Sequence, residues 1–212
     1  MNVTRIVSKL LAPTILFGFT AGCRAPHPPI RLIVAIDVSD PAEGRLVRYA
    51  SAAYELESGL GRRDELIVFL FGHGDEMVYE GPGIPDRDAF NEKIASKLAY
   101  IRPAMASPGT LVGGALRSVA DEVASSQVPS CAVLETDGGV EDASAAFRSE
   151  IGRSLRRLRS SSKLRRLLLL GVDDEWREKW SAWLRPLGGL VVVRGMNDYQ
   201  DLATGFVEEA AR

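Results

Sequence analysis

The stretch Ile30-Arg31-Leu32-Ile33-Val34-Ala35-Ile36, followed directly by Asp37-Val38-Ser39, decides the fold predicted for this chain. Its first seven residues are apolar except for Arg31 and rich in branched side chains, which is typical of a strand buried on both faces. The next four, Asp40-Pro41-Ala42-Glu43, are typical of a helix start, with an acidic cap, then proline, then glutamate at the third helical position. The stretch therefore predicts a buried strand that passes through a polar junction into a helix.

The rest of the chain repeats this alternation of strand and helix. Apolar runs of strand length predict further strands at 65–71, 76–80, 130–135, 164–172 and 189–193. Capped or amphipathic segments predict helices at 40–57, 86–100, 110–126, 141–159, 174–184 and 198–211, with Pro103 ending the second. This order favours a single α/β domain, doubly wound, with a mostly parallel sheet covered by helices on both faces.

The composition is that of an ordinary folded domain. The chain has 212 residues, 26 Lys+Arg against 28 Asp+Glu, 46% hydrophobic residues and two cysteines, which excludes collagen-like, disordered and disulfide-scaffold proteins. A formal net charge of −2 gives no general reason to expect nucleic-acid binding. No stretch approaches the roughly 20 apolar residues that a membrane-spanning helix needs.

The first 22 residues have the pattern of a secretory signal. Arg5 and Lys9 precede an apolar run at 10–19, and the small residues Thr20-Ala21-Gly22 follow it. Thr20-Ala21-Gly22-Cys23 resembles the bacterial lipobox, which implies that a diacylglyceryl group is attached to the Cys23 thiol and that the chain is cut just before it. An ordinary signal peptide cleaved near Gly22, or an uncleaved amphipathic start, is the alternative.

The lipobox resemblance predicts three parts: a signal peptide at 1–22, a lipidated cysteine with a proline-rich linker at 23–29, and a domain at 30–212. The expected location is the bacterial cell envelope, lipid-anchored to a membrane and facing outside the cytoplasm. The linker reaches only ~20 Å as polyproline II, which keeps the domain near the membrane. Cys131 lies in an apolar run and is expected to be a buried core residue.

Four oxygen-bearing side chains follow the predicted strands or precede a helix: Asp37, Ser39, Thr110 and Asp137. Taken singly, each has a structural explanation as a helix cap or as part of a turn. Ligand sites in open parallel sheets lie outside the carboxyl ends of the strands, so these loops are expected to meet. Two carboxylates and two hydroxyls are hard donors that suit Mg²⁺, or alternatively Mn²⁺ or Ca²⁺.

The motifs Asp37-x-Ser39-x-Pro41, Gly109-Thr110 and Asp137-Gly138 resemble the metal-ion-dependent adhesion site of von Willebrand factor A domains. The resemblance covers about residues 30–212, and Gly109-Thr110-x-x-Gly113-x-Ala115-Leu116 is its most specific part. It implies a six-stranded sheet with the short third strand antiparallel at an edge. It also implies that Asp37, Ser39, Thr110 and Asp137 hold a metal whose open position takes a carboxylate from a partner protein.

One position departs from that pattern. Pro41 stands where the family has a second serine, so one hydroxyl that contacts the metal is absent. A metal-free scaffold that binds its partner by packing alone is therefore the alternative to a degenerate metal site. Neither interpretation identifies the partner protein.

An enzymatic interpretation has less support than a binding module. Asp37, Thr136, Lys163 and Asp173-Asp174 faintly resemble haloacid-dehalogenase-type phosphatases, but Ser39 stands where those proteins have a second aspartate. His73 lies between two predicted strands, and the sequence has no Gly-x-Ser-x-Gly elbow, so an exposed turn is expected there. We therefore expect a protein that is not an enzyme.

Two further patterns have simpler explanations. Trp176, Trp180 and Trp183 recur at helical spacing and predict one apolar stripe packed against the sheet. A dense basic run predicts a solvated helix end, or alternatively contact with anionic lipid headgroups. That run consists of Arg153, Arg156, Arg157, Arg159, Lys163, Arg165 and Arg166.

Overall fold

The computed structural model describes residues 28–105, 111–140, 144–198 and 205–207. The strands are β1 (Arg31–Asp37), β2 (Glu65–Phe71), β3 (Asp75–Pro82), β4 (Ser130–Glu135), β5 (Leu164–Leu170) and β6 (Val191–Arg194). The α-helices are α1 (Leu46–Glu57), α2 (Arg87–Phe90), α3 (Ser96–Met105), α4 (Val112–Ser125), α5 (Ala145–Ser160) and α6 (Asp174–Leu184). No helix in these ranges is long and apolar enough to cross a membrane.

The six strands form one sheet in the order β3-β2-β1-β4-β5-β6. Only the β2–β3 pair is antiparallel, and β3 lies at one edge, so the predicted mostly parallel six-stranded sheet is confirmed. Because β1, β2, β4, β5 and β6 run the same way, they begin at one edge of the sheet, which we call the amino edge. They end at the opposite edge, the carboxyl edge, which carries the polar junction after β1.

Helices cover both faces of the sheet, as a doubly wound fold requires. On one face Tyr49 of α1 and Phe90 of α2 are buried in a core that includes Val34 and Val133. On the other face Trp180 of α6 and Leu116 of α4 are buried with the alternate residues of the same strands. The central strands are apolar on both sides because both of their faces are covered.

Several predicted boundaries were wrong. The segment predicted as one helix from residue 40 begins as a 3₁₀ helix, Asp40–Arg45, with Ser39 rather than Asp40 as its N-cap residue. The helix expected to stop at Pro103 continues to Met105, after a π-helical turn at Asn91–Ala95. The helical backbone thus continues two residues past Pro103, although this proline removes one backbone donor.

Other predictions about single residues are confirmed. Cys131 is fully buried and Trp180 is fully buried, with Trp176 and Trp183 packed half-buried beside it. His73 is exposed in the turn between β2 and β3. The helix predicted at 198–211 falls mostly outside the described residues, of which only 205–207 are helical there.

Candidate functional site

Asp37, the last residue of β1, lies at the centre of the carboxyl edge and is completely buried. Its Oδ1 accepts a hydrogen bond from the backbone N–H of Ser39 at 2.9 Å. Its Oδ2 accepts one from the hydroxyl of Thr136 at 2.8 Å. Both carboxylate oxygens therefore have donors, one from the same loop and one from the end of the neighbouring strand β4.

Burial dominates the electrostatics of Asp37. It raises the pKa of this carboxyl from 3.8 to about 6, although hydrogen bonds from Ser39 and Thr136 act in the opposite direction. The negative charge of Asp137 raises the pKa further. The side chain of Ser39, which is also fully buried, is one of these hydrogen-bonding partners.

Thr136 joins the first and second of the predicted site loops. Its hydroxyl donates to Asp37 and accepts from the backbone N–H of Gly138 at 3.1 Å. Gly138 has φ of +81°, and a Cβ there would lie 2.9 Å from Cγ1 of Val172. Trp180 Nε1 donates to the carbonyl oxygen of Gly138 at 2.9 Å, which holds the loop against α6. Only glycine fits this turn, because both the backbone conformation and the space exclude a side chain.

Asp137 lies between Thr136 and that glycine, and its residue is only 7% exposed. Its Oδ1 accepts from the backbone N–H of Gly139 at 2.7 Å, and its carbonyl oxygen accepts from the N–H of Asp173 at 2.9 Å. The second predicted carboxylate is therefore held at the carboxyl edge, near enough to Asp37 for their charges to repel.

The fourth predicted ligand, Thr110, lies outside the described residues, as does Cys23, the predicted lipidation site. Leu111, which follows Thr110, is the N-cap residue of α4. The structure thus places Asp37, Ser39 and Asp137 in two adjoining loops, and the role of all four residues as metal ligands stays a prediction.

The donors at this edge fit a hard divalent cation. Within the described ranges neither Asp37 nor Asp137 takes part in an ion pair, so two nearby carboxylates have no direct cationic partner there. No group of three or more His, Cys, Asp or Glu side chains arranged to hold a metal ion occurs among the described residues. A metal here would need the hydroxyls and water to complete its coordination, which Mg²⁺ accepts readily.

An arginine–aspartate pair that the sequence analysis missed borders the site. The Arg45 guanidinium binds Asp173 through two contacts, Nη1–Oδ1 at 3.0 Å and Nη2–Oδ2 at 2.8 Å, and also donates to the carbonyl of Gly171 at 3.0 Å. The hydrogen bond to Asp173 is the largest cause of the raised pKa of Arg45. This bidentate contact ties the 3₁₀ segment after β1 to the loop after β5.

Two more polar side chains lie buried beneath the site and also gave no sequence signal. The Tyr49 hydroxyl and both carboxyl oxygens of Glu135 are buried without a hydrogen-bond partner. Burial raises the pKa of Glu135 well above its ordinary value. Burial, followed by the charge of Asp37, raises the pKa of Tyr49.

The fold does not bring together the residues whose pattern resembles a phosphatase site. Lys163 precedes the start of β5 and donates to the carbonyl oxygen of Gln127, at the amino edge. Asp37 ends β1 at the carboxyl edge, and a seven-residue strand separates the two edges by ~20 Å. The lysine therefore cannot assist chemistry at Asp37.

Neither a family model nor a curated protein sequence matches this chain. Solved structures do. A von Willebrand factor type A protein from Catenulispora acidiphila aligns with a TM-score of 0.61 at 17% identity, over 86% of this chain and 43% of that one. This chain thus spans less than half of the length of that relative.

Two further solved structures are similar. The conserved hypothetical protein BatB from Bacteroides thetaiotaomicron aligns with a TM-score of 0.59 at 15% identity, over 86% of this chain and 100% of its own. The pilus adhesin SpaC from Lactobacillus rhamnosus GG aligns with a TM-score of 0.58 at 13% identity, over 86% of this chain and 30% of its own. At such identities the likeness concerns the fold alone. The chain therefore has the fold of a von Willebrand factor A domain.

Proposed function

We propose that this protein is a lipid-anchored envelope protein whose von Willebrand factor A-type domain binds a partner protein and catalyses no reaction. The observation that carries the proposal is the pair of carboxylates at the carboxyl edge. Asp37 is fully buried and Asp137 nearly so, and no lysine or arginine among the described residues pairs with either. Arg45 attracts Asp137 only at longer range, without an ion pair. Buried carboxylates that lack a direct ion pair are costly unless a cation binds them or they take up protons.

The proposed cation is Mg²⁺, with Mn²⁺ or Ca²⁺ as alternatives. Asp37, Ser39 and Asp137 would hold it, together with Thr110, and water would take the position that Pro41 leaves without a hydroxyl. When bound, the metal would supply a positively charged open position that a carboxylate from the partner can occupy.

The similar structures support a binding role rather than an enzymatic one. One of them is, by its printed name, a pilus adhesin, although this chain matches only 30% of its length. We extend protein binding to this chain because its carboxyl edge combines carboxylates with hydroxyls and lacks an assembled nucleophile and base among the described residues.

The proposed anchor is a lipid on Cys23, outside the cytoplasm. Its support is the basic start, the apolar run and the small residues that precede Cys23 in the sequence. Cys131, the other cysteine, is buried at the centre of the sheet and is not available for acylation or pairing.

A titration of the protein purified from bacterial membranes with Mn²⁺ and Mg²⁺, followed by calorimetry, tests the metal site. We expect saturable binding that Asp137→Asn abolishes. The matched control is Asp174→Asn, which removes an exposed carboxylate at the same edge and should leave binding unchanged. Absence of binding by the unaltered protein would contradict the metal site and favour a metal-free scaffold, which Pro41 already suggests.

A further inference from the structure

The basic run that the sequence analysis singled out lies at the amino edge of the sheet. Helix α5 runs back from the carboxyl edge and ends at Ser160, and β5 begins four residues later at Leu164. The arginines near the end of α5 and at the start of β5 are therefore neighbours at the edge opposite to Asp37.

Three of these cations are exposed and not neutralised by an acid. Arg156, Arg159 and Arg165 have exposed side chains and take part in no ion pair within the described ranges. We call these three the basic edge cluster. The acidic side chains of this edge lie towards β1 and β3: Asp121 pairs with Arg157, Glu65 and Glu122 share Arg31, and Glu80 interacts with Glu122. The amino edge thus keeps a surplus of positive charge.

The same edge receives the chain from Cys23. The described residues begin at Pro28, and β1 starts three residues later, at Arg31. Five residue steps separate Cys23 from Pro28, and a fully extended chain covers at most ~18 Å over that number of residues. A lipid on Cys23 would therefore hold the amino edge, and not the carboxyl edge, next to the bilayer.

We infer that the basic edge cluster rests on the anionic headgroups of the membrane that carries the anchor, so that Asp37 and Asp137 face away from the bilayer. The inference depends on the proposed anchoring at Cys23. Juxtamembrane arginines are attracted by anionic lipids over about a Debye length, ~8–10 Å, and a linker of at most ~18 Å lets these three come within that range. The orientation leaves the carboxyl edge accessible to a partner protein.

An apolar slot beside the cluster agrees with a lipid surface. It has a volume of about 220 Å³ between α5 and the end of α6 with the 3₁₀ helix that follows, Arg185–Leu190, and Leu155, Trp183 and Pro186 line it together with Arg156 and Arg159. Guanidinium groups next to an apolar wall suit an interface where charged headgroups meet hydrocarbon.

Fluorescence quenching on vesicles tests this orientation with the whole membrane-extracted protein. The variant Ser162→Cys carries a thiol-reactive fluorophore at the amino edge, and His73→Cys carries it at the carboxyl edge as the matched control. Cys131 should not react, because it is buried and burial raises the pKa of its thiol to about 12. The vesicles contain phosphatidylcholine with or without phosphatidylglycerol, plus a lipid with a nitroxide on its headgroup.

We expect the label at position 162 to be quenched more than the label at 73, and this difference to increase several-fold when phosphatidylglycerol is present, because the tether acts on either vesicle and the arginines act only on the anionic one. Replacing Arg156, Arg159 and Arg165 by Gln should lower the population in this orientation, on the order of fivefold for each arginine. The triple replacement of Arg48, Arg177 and Arg194 by Gln changes the net charge equally at the carboxyl edge and should have no effect. Equal quenching of the two labels, or equal effects of the two triple variants, would overturn the inference; these are also the outcomes expected if the cluster serves a protein or nucleic acid.

The state of Cys23 separates this inference from the proposed anchor. If the parent protein, without an added cysteine, takes up the fluorophore at Cys23, the thiol carries no lipid and the anchoring proposal fails together with the inference. If Cys23 is blocked and the two labels are quenched equally, the anchor stands and the orientation alone is wrong.

Discussion

The hydroxyl of Thr136 donates a hydrogen bond of 2.8 Å to Oδ2 of Asp37, which joins the ends of β4 and β1 across 99 positions of sequence. Both side chains are fully buried, so water does not substitute for either partner. The bond holds the carboxylate in place. Because the same hydroxyl accepts a hydrogen bond from the backbone N–H of Gly138, it also fixes the position of the carboxylate relative to the loop after β4. The candidate metal site thus depends on a residue that is not one of its predicted ligands.

Replacing Thr136 by Val should lower the free energy of unfolding by about 1–3 kcal/mol, since it leaves an oxygen of Asp37 buried without its donor. Metal affinity should fall as well, because the carboxylate loses its fixed orientation. Urea denaturation and Mn²⁺ titration measure the two effects. The variant Thr136→Ser keeps the hydroxyl and should recover most of both; a Val variant as stable as the parent would show that the bond contributes little.

Metal affinity should decrease below about pH 6. Burial raises the folded pKa of Asp37 to about 6, so below that pH the carboxyl is protonated and a metal must displace the proton. The expected affinity is constant above pH 7 and falls about tenfold for each pH unit well below 6. Mn²⁺ titrations between pH 5 and 8 measure this, with an affinity independent of pH as the contrary result.

Glu57 should make the domain less stable as the pH rises. Its carboxyl accepts a hydrogen bond from the backbone N–H of Ile84, but the other oxygen is buried without a partner, and burial raises its pKa from 4.5 to about 7. An acid with a raised folded pKa binds its proton more tightly when folded. The contribution of protonated Glu57 to the free energy of unfolding is therefore fully present below about pH 4.5 and is lost as the pH rises through 7.

The free energy of unfolding lost in this way is about 3 kcal/mol, because each pKa unit between the folded and unfolded states corresponds to 1.36 kcal/mol. Urea midpoints from pH 4 to 8 measure it as the difference between the parent and Glu57→Gln, which cannot ionise. Glu55→Gln, two residues earlier in α1, is the matched control and should follow the parent at every pH. Parallel curves for the parent and Glu57→Gln would rule out the assigned role of Glu57.

Glu135→Leu should stabilise the domain at pH 7 by about 1–3 kcal/mol. Both oxygens of Glu135 are buried without a partner, and a leucine of similar size removes that desolvation cost without leaving a large cavity. Glu135→Gln keeps two buried polar groups and should change the stability much less. Thermal unfolding at pH 7 distinguishes the two, and a destabilised Leu variant would indicate a polar partner for Glu135.

The strands and their order along the chain could be predicted from local sequence patterns alone. Residues 66–71 and 131–134 are continuous apolar runs, and β2 (Glu65–Phe71) and β4 (Ser130–Glu135) contain them in the structure. The alternation with helices then favoured parallel pairing, which brings Asp37 and Asp137 to one edge because parallel strands end on the same side. Helix ends were less predictable, as α3 continues past Pro103, because packing decides whether a weak turn persists.

By itself, then, the sequence determined the doubly wound sheet and the edge at which its polar loops meet, since local periodicity encodes which segments are buried. Only the tertiary structure decided which side chains touch at that edge: Thr136 with Asp37, Arg45 with Asp173, and Glu135 with no partner. It also placed the arginines of α5 and β5 at the same edge of the sheet as the start of β1. These contacts join residues up to 128 positions apart. They depend on strand register and helix packing, which leave no local pattern in the sequence.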